Sequence, residues 1–434
     1  MNEYKVTILG AGLAGCEAAL WLAGKGVQIE LYEQKPVHFS PAHKSEGFAE
    51  LICSNSLKAE RLDSASGLLK EEMRRMGSRL LTAAEETRVA AGGALAVDRE
   101  GFARAVTEAV RALPNVEIVE EEAVDIPDGE VIIASGPLTS DALAENVLRR
   151  TGSEGLHFYD AVAPIVSLDS VDMESAFRAS RYDKGTADYV NCPMTEEEYT
   201  AFWKELTTAR EAAVHGFDDG GVFEGCMPVE VMARRGFDTL RYGPMKPVGL
   251  RDPHTGHEPY AVVQLRQDNA DGTLYNLVGF QTHLAFPEQR RVFRMIPGLE
   301  QAEIVRYGVM HRNSFIDSPR LLGADYALRS HPNIFFAGQI TGVEGYMESA
   351  MSGILAGRNA VRRAEGKPTG CPNGETMSGA LTRYISDESV KHFQPMGANF
   401  GILPPMEPKI RDKKERYAAL SNRALAALDR FLEK

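Results

Sequence analysis

An apolar run leading straight into G-x-G-x-x-G constrains this chain more than any other feature. Residues Tyr4 to Gly15 read Y-K-V-T-I-L-G-A-G-L-A-G. The pattern predicts a strand over Lys5 to Leu9 and a helix from about Gly12 to Lys25. Gly10 turns the chain sharply out of the strand, Gly12 lets a pyrophosphate approach the backbone, and Gly15 lets helix and strand pack closely. With Ala11, Leu13 and Ala14 these residues form the expected cofactor cradle, the positive end of the helix facing the phosphates. A second run, Val27 to Tyr32, ends at Glu33, placed to accept a ribose hydroxyl. No second G-x-G-x-x-G occurs, so a dedicated nicotinamide domain is not expected, and one tightly held dinucleotide fits FAD better than NAD.

The 434 residues are enough for two or three domains. No apolar stretch approaches membrane-spanning length, and the first strand begins too early for a signal peptide. The five cysteines (Cys16, Cys53, Cys192, Cys226 and Cys371) are widely spaced without a C-x-x-C. That argues against a disulfide framework or a metal site and fits a reducing cytoplasm. The net charge of −13 argues against a polyanionic partner, yet a local basic surface suffices to track phosphates. Lys409, Arg411, Lys413, Lys414 and Arg416 form one such cluster. It reads either as a nucleic-acid contact or as a solvated helix start interleaved by Asp412 and Glu415.

The pattern predicts an α/β fold with a Rossmann-type FAD-binding domain and an inserted, largely antiparallel α+β substrate domain. Residues 1–155 would be the first part of the FAD-binding domain and 156–322 the insertion. Residues 323–434 would return a strand and helix, followed by C-terminal helices. Helices are expected over Leu62 to Met76 and Asp98 to Arg111, and strands over Val116 to Val119 and Glu130 to Ala134. In the insertion, Ala163 to Leu168, Tyr260 to Leu265 and Leu274 to Phe280 are β-prone, and Arg251 to Pro259 reads as a long hairpin loop. Asn333 to Ala337 is a further strand. Gly338, Gln339, Gly342 and Gly345 then lead into a helix from about Tyr346 to Ala364, whose N–H groups would point at a flavin; an ordinary β–α unit is the alternative.

Two cysteines stand out by context. Cys53 lies in F-A-E-L-I-C-S-N-S-L-K, where Ser54, Asn55 and Ser56 suggest a turn or helix cap near the nucleotide. Cys226 lies in F-E-G-C-M-P-V-E, where Gly225 and Pro228 suggest an irregular loop. Free cysteines are also small buried hydrophobes, and Glu224 and Glu230 would suppress a Cys226 thiolate if they pointed inward.

Together G-A-G-L-A-G, A-E-L-I-C-S-N-S-L-K, V-D-R-E-G-F, F-E-G-C-M-P-V-E-V-M-A, G-P-M-K-P-V-G-L and F-F-A-G-Q-I-T-G-V-E-G-Y resemble the folate- and FAD-dependent tRNA (uracil-5-)-methyltransferases, relatives of the glucose-inhibited-division-A-like flavoproteins. The resemblance runs from about residue 3 to beyond residue 400. It implies methylation of the T-loop uridine (uridine 54) of tRNA with methylenetetrahydrofolate. FAD would carry the methylene and supply the hydride, and NAD(P)H would reduce the FAD. It assigns Cys226 the addition to uracil C6 that makes C5 nucleophilic, and Cys53 a place near the flavin as base or as protector. A pterin needs a stacking partner, for which Tyr346 and His283 are candidates beside a purely structural role for either; Glu344 and Arg312 are unassigned polar candidates. The rivals are a wobble-uridine-modifying flavoenzyme, a small-molecule flavin oxidoreductase, and an RNA-binding protein holding FAD structurally. The first would need a long helical C-terminal domain, for which too little chain follows Ala364.

Overall fold

A computed structural model describes residues 4–40, 42–152, 156–183, 186–212, 227–391 and 393–433. The first strand forms over Lys5–Leu9, followed by a helix over Leu13–Ala23 and a parallel strand over Gln28–Tyr32. These lie at the centre of a six-stranded sheet in the spatial order 327–328, 331–336, 130–133, 5–9, 28–32, 116–119. All its pairings are parallel except that of the edge strand Ala327–Leu328. The central strands are apolar on both faces because both are covered. On one side Leu143 and Val147 of the helix Asp141–Thr151 join Leu9, Val131, Ile133 and Phe336. On the other, Leu13–Ala23 meets the returning helix Tyr346–Ala364. Gly353 makes that contact possible, since a Cβ there would overlap the Ala14 carbonyl oxygen.

The chain leaves this unit through strand Leu156–Ala161 and returns through Met310–Phe315, and these two strands pair as an antiparallel ribbon. Between them lies a second six-stranded sheet in the order 177–179, 189–194, 261–267, 274–277, 165–167, 304–306, antiparallel throughout. Its core is covered by the helices Glu196–Thr208, Val229–Arg234 and Phe286–Phe293, through Tyr199, Phe202, Val229 and Phe293. Arg251 to Pro259 is not a hairpin loop. It connects the short helix Thr239–Tyr242 to the strand Ala261–Gln267, whose partner Tyr189–Met194 is separated from it by three helices among the described residues. The Asp252 side chain stabilises the turn by accepting from the His254 N–H at 2.9 Å.

Buried carboxylates cap helices from a distance. Glu17 accepts hydrogen bonds from Ser78 Oγ (2.9 Å) and the Arg79 and Leu80 N–H groups (2.7 and 3.1 Å) at the start of helix Leu80–Glu86. Burial pushes its carboxyl up to about 7 against those donors. Glu72 does the same for Met377 and Ser378 at the start of Met377–Ser386. No helix among the described residues is long and apolar enough to cross a membrane.

Candidate active site

The fingerprint glycines have three different physical reasons. Gly10 has φ +105°, and a Cβ there would lie 2.8 Å from the Ala134 carbonyl oxygen. A Cβ on Gly15 would overlap the carbonyl oxygen of Gly10. Nothing lies within 4 Å of a Cβ built on Gly12, although Gly12 has φ −73° and immediately precedes the helix. The fold itself therefore places no demand on Gly12. The open space beside it belongs to a cleft of about 1280 Å³, counting its solvent-filled mouth.

Gly10, Ala11, Gly12, Leu13, Ala14, Glu33, Gly338, Gln339, Tyr346 and Cys53 all line this cleft. Glu33 accepts from the Ala11 N–H at 3.0 Å and the Lys35 N–H at 3.1 Å. Its carboxylate is thereby fixed at the end of the second strand, with lone pairs left for ribose hydroxyls. Beside it Lys35 lies 3.7 Å from Glu50, both side chains nearly inaccessible. His43, another cleft residue, is pushed down to about 4 by burial and then by the Lys35 charge. Gly15 and Gly342 stand behind the wall: a Cβ on Gly342, at φ +81°, would strike the Phe393 ring. A dinucleotide fits the residues present, with an open approach at Gly12, free N–H groups at the helix start and an acid at the second strand's end.

Another part of the cleft lining is built around Cys53. The Tyr346 hydroxyl accepts hydrogen bonds from the N–H groups of Cys53 (2.9 Å) and Ser54 (3.1 Å). Burial, then the neighbouring Cys53, raises the Tyr346 pKa, so the phenol keeps its proton. The Cys53 Sγ lies 3.7 Å from the Ala161 carbonyl oxygen at the ribbon. Arg99 pairs with Asp268 (2.9 Å) and donates to the carbonyls of Leu51 and Ile52. Arg266 donates to Ser54 Oγ (2.7 Å) and Asn55 Oδ1 (3.2 Å), and Asn55 donates to the Val97 and Gln267 carbonyls. The turn is thus clamped by the second sheet and by the returning helix at once. It enters the short strand Ser56–Ala59 rather than capping a helix.

His283 is not on the cleft. It lies in the second unit, its Nε2 2.7 Å from Glu211 and its Nδ1 2.8 Å from Glu230. Burial opposes its protonation, but the hydrogen bonds and charges of Glu230 and Glu211 outweigh that and raise its pKa. With both ring nitrogens on carboxylates, its role here is to hold Glu211 and Glu230. The Ala212 N–H also donates to the His283 carbonyl at 2.8 Å, and the Val229 N–H to that of Gln281 at 2.7 Å. The segment Gln281 to His283 is therefore bonded to both Ala212 and Val229. Cys226 lies outside the described residues, as does the Arg312 side chain. Glu344 accepts from Gln339 Nε2 at 2.6 Å beside the cleft. Among the described residues, no group of three or more His, Cys, Asp or Glu is arranged to hold a metal ion.

A glycine-fingerprint cradle on a parallel sheet, closed by a returning helix and abutted by an inserted antiparallel sheet, defines a Rossmann-type FAD-binding flavoprotein fold. The Aquifex aeolicus GidA structure in its form I crystal shares it, with a TM-score of 0.70 at 18% identity over 98% of this chain and 76% of that one. Residues 5–368 match the family model described as Glucose inhibited division protein A. Within that group, proteins named methylenetetrahydrofolate--tRNA-(uracil-5-)-methyltransferase TrmFO are much more similar. The one from Acetivibrio thermocellus is 57% identical over 435 residues, covering all of both chains. That from Pelotomaculum thermopropionicum is 58% identical over 434 residues, 100% of this chain and 99% of its own. The chain belongs to the TrmFO family.

Proposed function

We propose that this protein methylates C5 of the T-loop uridine of tRNA, uridine 54, using methylenetetrahydrofolate, with FAD as bound cofactor and NAD(P)H as reductant. One observation carries the reading beyond family membership: the cleft lined by the unobstructed Gly12 is also lined by a thiol, Cys53, on a turn immobilised from three directions. When bound, FAD would supply one-carbon carriage and the hydride that completes the new methyl group, chemistry that side chains lack. The residues do the rest. The N–H groups at the start of the fingerprint helix hold the pyrophosphate, Glu33 holds the ribose, and the Gly338–Gly345 loop brings the returning helix to the cofactor. Cys226 adds to uracil C6, which turns C5 into a nucleophile. Cys53 then takes the C5 proton or shields the cofactor, held in place by Tyr346.

The test is label transfer from methylenetetrahydrofolate, marked in the one-carbon unit, to an unmodified tRNA transcript with FAD and NAD(P)H. Label in the T-loop uridine with wild type, and none with Cys226→Ala, is expected. No label with wild type, despite a reducible bound flavin, would replace this reading with that of a small-molecule flavin oxidoreductase.

A further inference from the structure

The basic cluster near the C-terminus takes no part in the site described above. Resting on the proposed function, we infer that the ridge of Lys409, Arg411, Lys413 and Lys414 docks the phosphate backbone of the RNA substrate. Several exposed cations elsewhere on this acidic chain are neutralised, Arg74, Arg75, Arg88 and Arg291 each pairing with glutamates, whereas here four exposed cations fall within six consecutive residues. Among the described residues, no ion pair engages Lys409, Arg411, Lys413, Lys414 or Arg416. Of the two carboxylates that interrupt the cluster, Asp412 is occupied in capping the helix by accepting from the Glu415 N–H at 2.8 Å.

The placement also runs against local helix energetics. Lys413 and Lys414 open the helix Lys413–Leu432, where the macrodipole favours anions and disfavours cations. A sequence that violates a local rule on an exposed surface is expected to gain something elsewhere. Further along the same helix, Arg430 and Arg423 approach Glu375 at 3.8 Å, so the uncompensated charge is confined to its start.

The ridge is rigidly tied to the wall of the cleft. Leu420, Ala424 and Leu428 bury the helix in the core of the first unit. Tyr417 stacks on Phe400, ring centroids 4.2 Å apart, and Lys413 lies 5.5 Å above the Tyr417 ring. The segment before Phe400 bonds to the glycine loop, through Met396 N–H to the Gly342 carbonyl and Glu344 N–H to that of Met396, both 2.9 Å. Ala398 N–H and Lys58 Nζ meet on one oxygen of Glu348, each at 3.0 Å, in the first turn of the helix that carries Tyr346. A polyanion lying on the ridge would therefore be held in fixed relation to the Cys53 turn. No large exposed apolar side chain occurs on the ridge, which leaves a membrane surface without the insertion it needs.

The test measures tRNA affinity against salt concentration for the full chain and for Lys409→Gln/Arg411→Gln/Lys413→Gln/Lys414→Gln. A control, Arg104→Gln/Arg149→Gln/Arg150→Gln/Lys204→Gln, removes the same charge from exposed positions elsewhere. Each lost phosphate contact lowers the log–log slope by about 0.7–0.9. The ridge variant is thus expected to lose a slope of roughly three and at least tenfold in affinity at physiological salt. The control should keep the wild-type slope, and NAD(P)H reduction of the flavin should be unchanged in both. Should the quadruple variant melt early, Lys409→Gln/Arg411→Gln lies outside the helix and should lose a slope of about 1.5. An unchanged slope, or an equal fall in ridge variant and control, would overturn the inference and leave the proposed function standing. Wild type that bound no tRNA at all would overturn the proposed function itself.

Discussion

Two glycines three residues apart in one fingerprint should fail in opposite ways. In Gly12→Ala the new methyl enters empty space at an ordinary φ of −73°. Alanine caps a helix less well than glycine by about 0.5–1 kcal/mol, and the reduced entropy of the unfolded chain returns about 0.4–1 kcal/mol. The apoprotein should therefore melt within 2–3 °C of wild type, at roughly 2–4 °C per kcal/mol for a unit of this size. FAD should suffer instead, because the methyl occupies the space where the pyrophosphate meets the backbone. Losing a charge-assisted hydrogen bond of about 1.5–3 kcal/mol weakens binding tenfold to a hundredfold. In Gly15→Ala the methyl overlaps the Gly10 carbonyl oxygen and lies 3.1 Å from its carbon. The obstacle is backbone, so the helix must move, at the upper end of overpacking costs, about 3 kcal/mol or more. That lowers apoprotein melting by roughly 6–12 °C. The assay is thermal melting of flavin-free protein beside FAD titration by fluorescence quenching. If flavin-free Gly12→Ala melts as low as Gly15→Ala, or binds FAD as wild type does, the separation of ligand-imposed from fold-imposed glycines is refuted.

His283→Gln should cost about 2–3 kcal/mol near pH 6, below the 3–5 of a fully buried broken pair because Glu211 is one-third exposed and also pairs with Arg234. The folded pKa of His283 is raised. Its contribution is therefore complete below the unfolded imidazole value of about 6.5 and is lost as pH rises through the folded value. The melting gap between wild type and variant should narrow from pH 6 to pH 9; a constant or widening gap would show that the imidazolium is not what holds the two carboxylates. Tyr346→Phe removes the acceptor of the Cys53 and Ser54 N–H groups, at about 1–2 kcal/mol once water from the cleft compensates in part. Methyl transfer should fall at least tenfold with FAD content unchanged, and unaltered turnover would remove Tyr346 from the reacting end of the cleft.

What the sequence made legible follows from how local each signal is. The strand Lys5–Leu9, the fingerprint and Glu33 are readable because a strand, its turn and the next helix fit within thirty residues. The helix Tyr346–Ala364 is readable because glycines mark its entry. Helix Leu80–Glu86 was not readable. The residue before it, Arg79, offers no side-chain cap, and the capping acid is Glu17, more than sixty residues away. Helix Asp141–Thr151 does carry local signals, Ser140 before it and Gly152 after it. At the site, the cysteine turn was visible as S-N-S, but its clamp was not. Arg266 reaches Asn55 across 211 residues, and Asp268 reaches Arg99 across 169, pairings that no periodicity encodes. Arg99 lies in V-D-R-E-G-F, and an arginine in a helix's first turn looks like a solvated one until its partner is known. His283 shows the converse. Q-T-H-L contains nothing that marks an ion-pair partner, and the approach of Glu211 and Glu230 that makes His283 one comes from residues 53 and more positions away. The glycines and cysteines thus announce where the chemistry is, because backbone geometry and thiols leave local marks. The charged residues that hold those parts still are set by the tertiary fold.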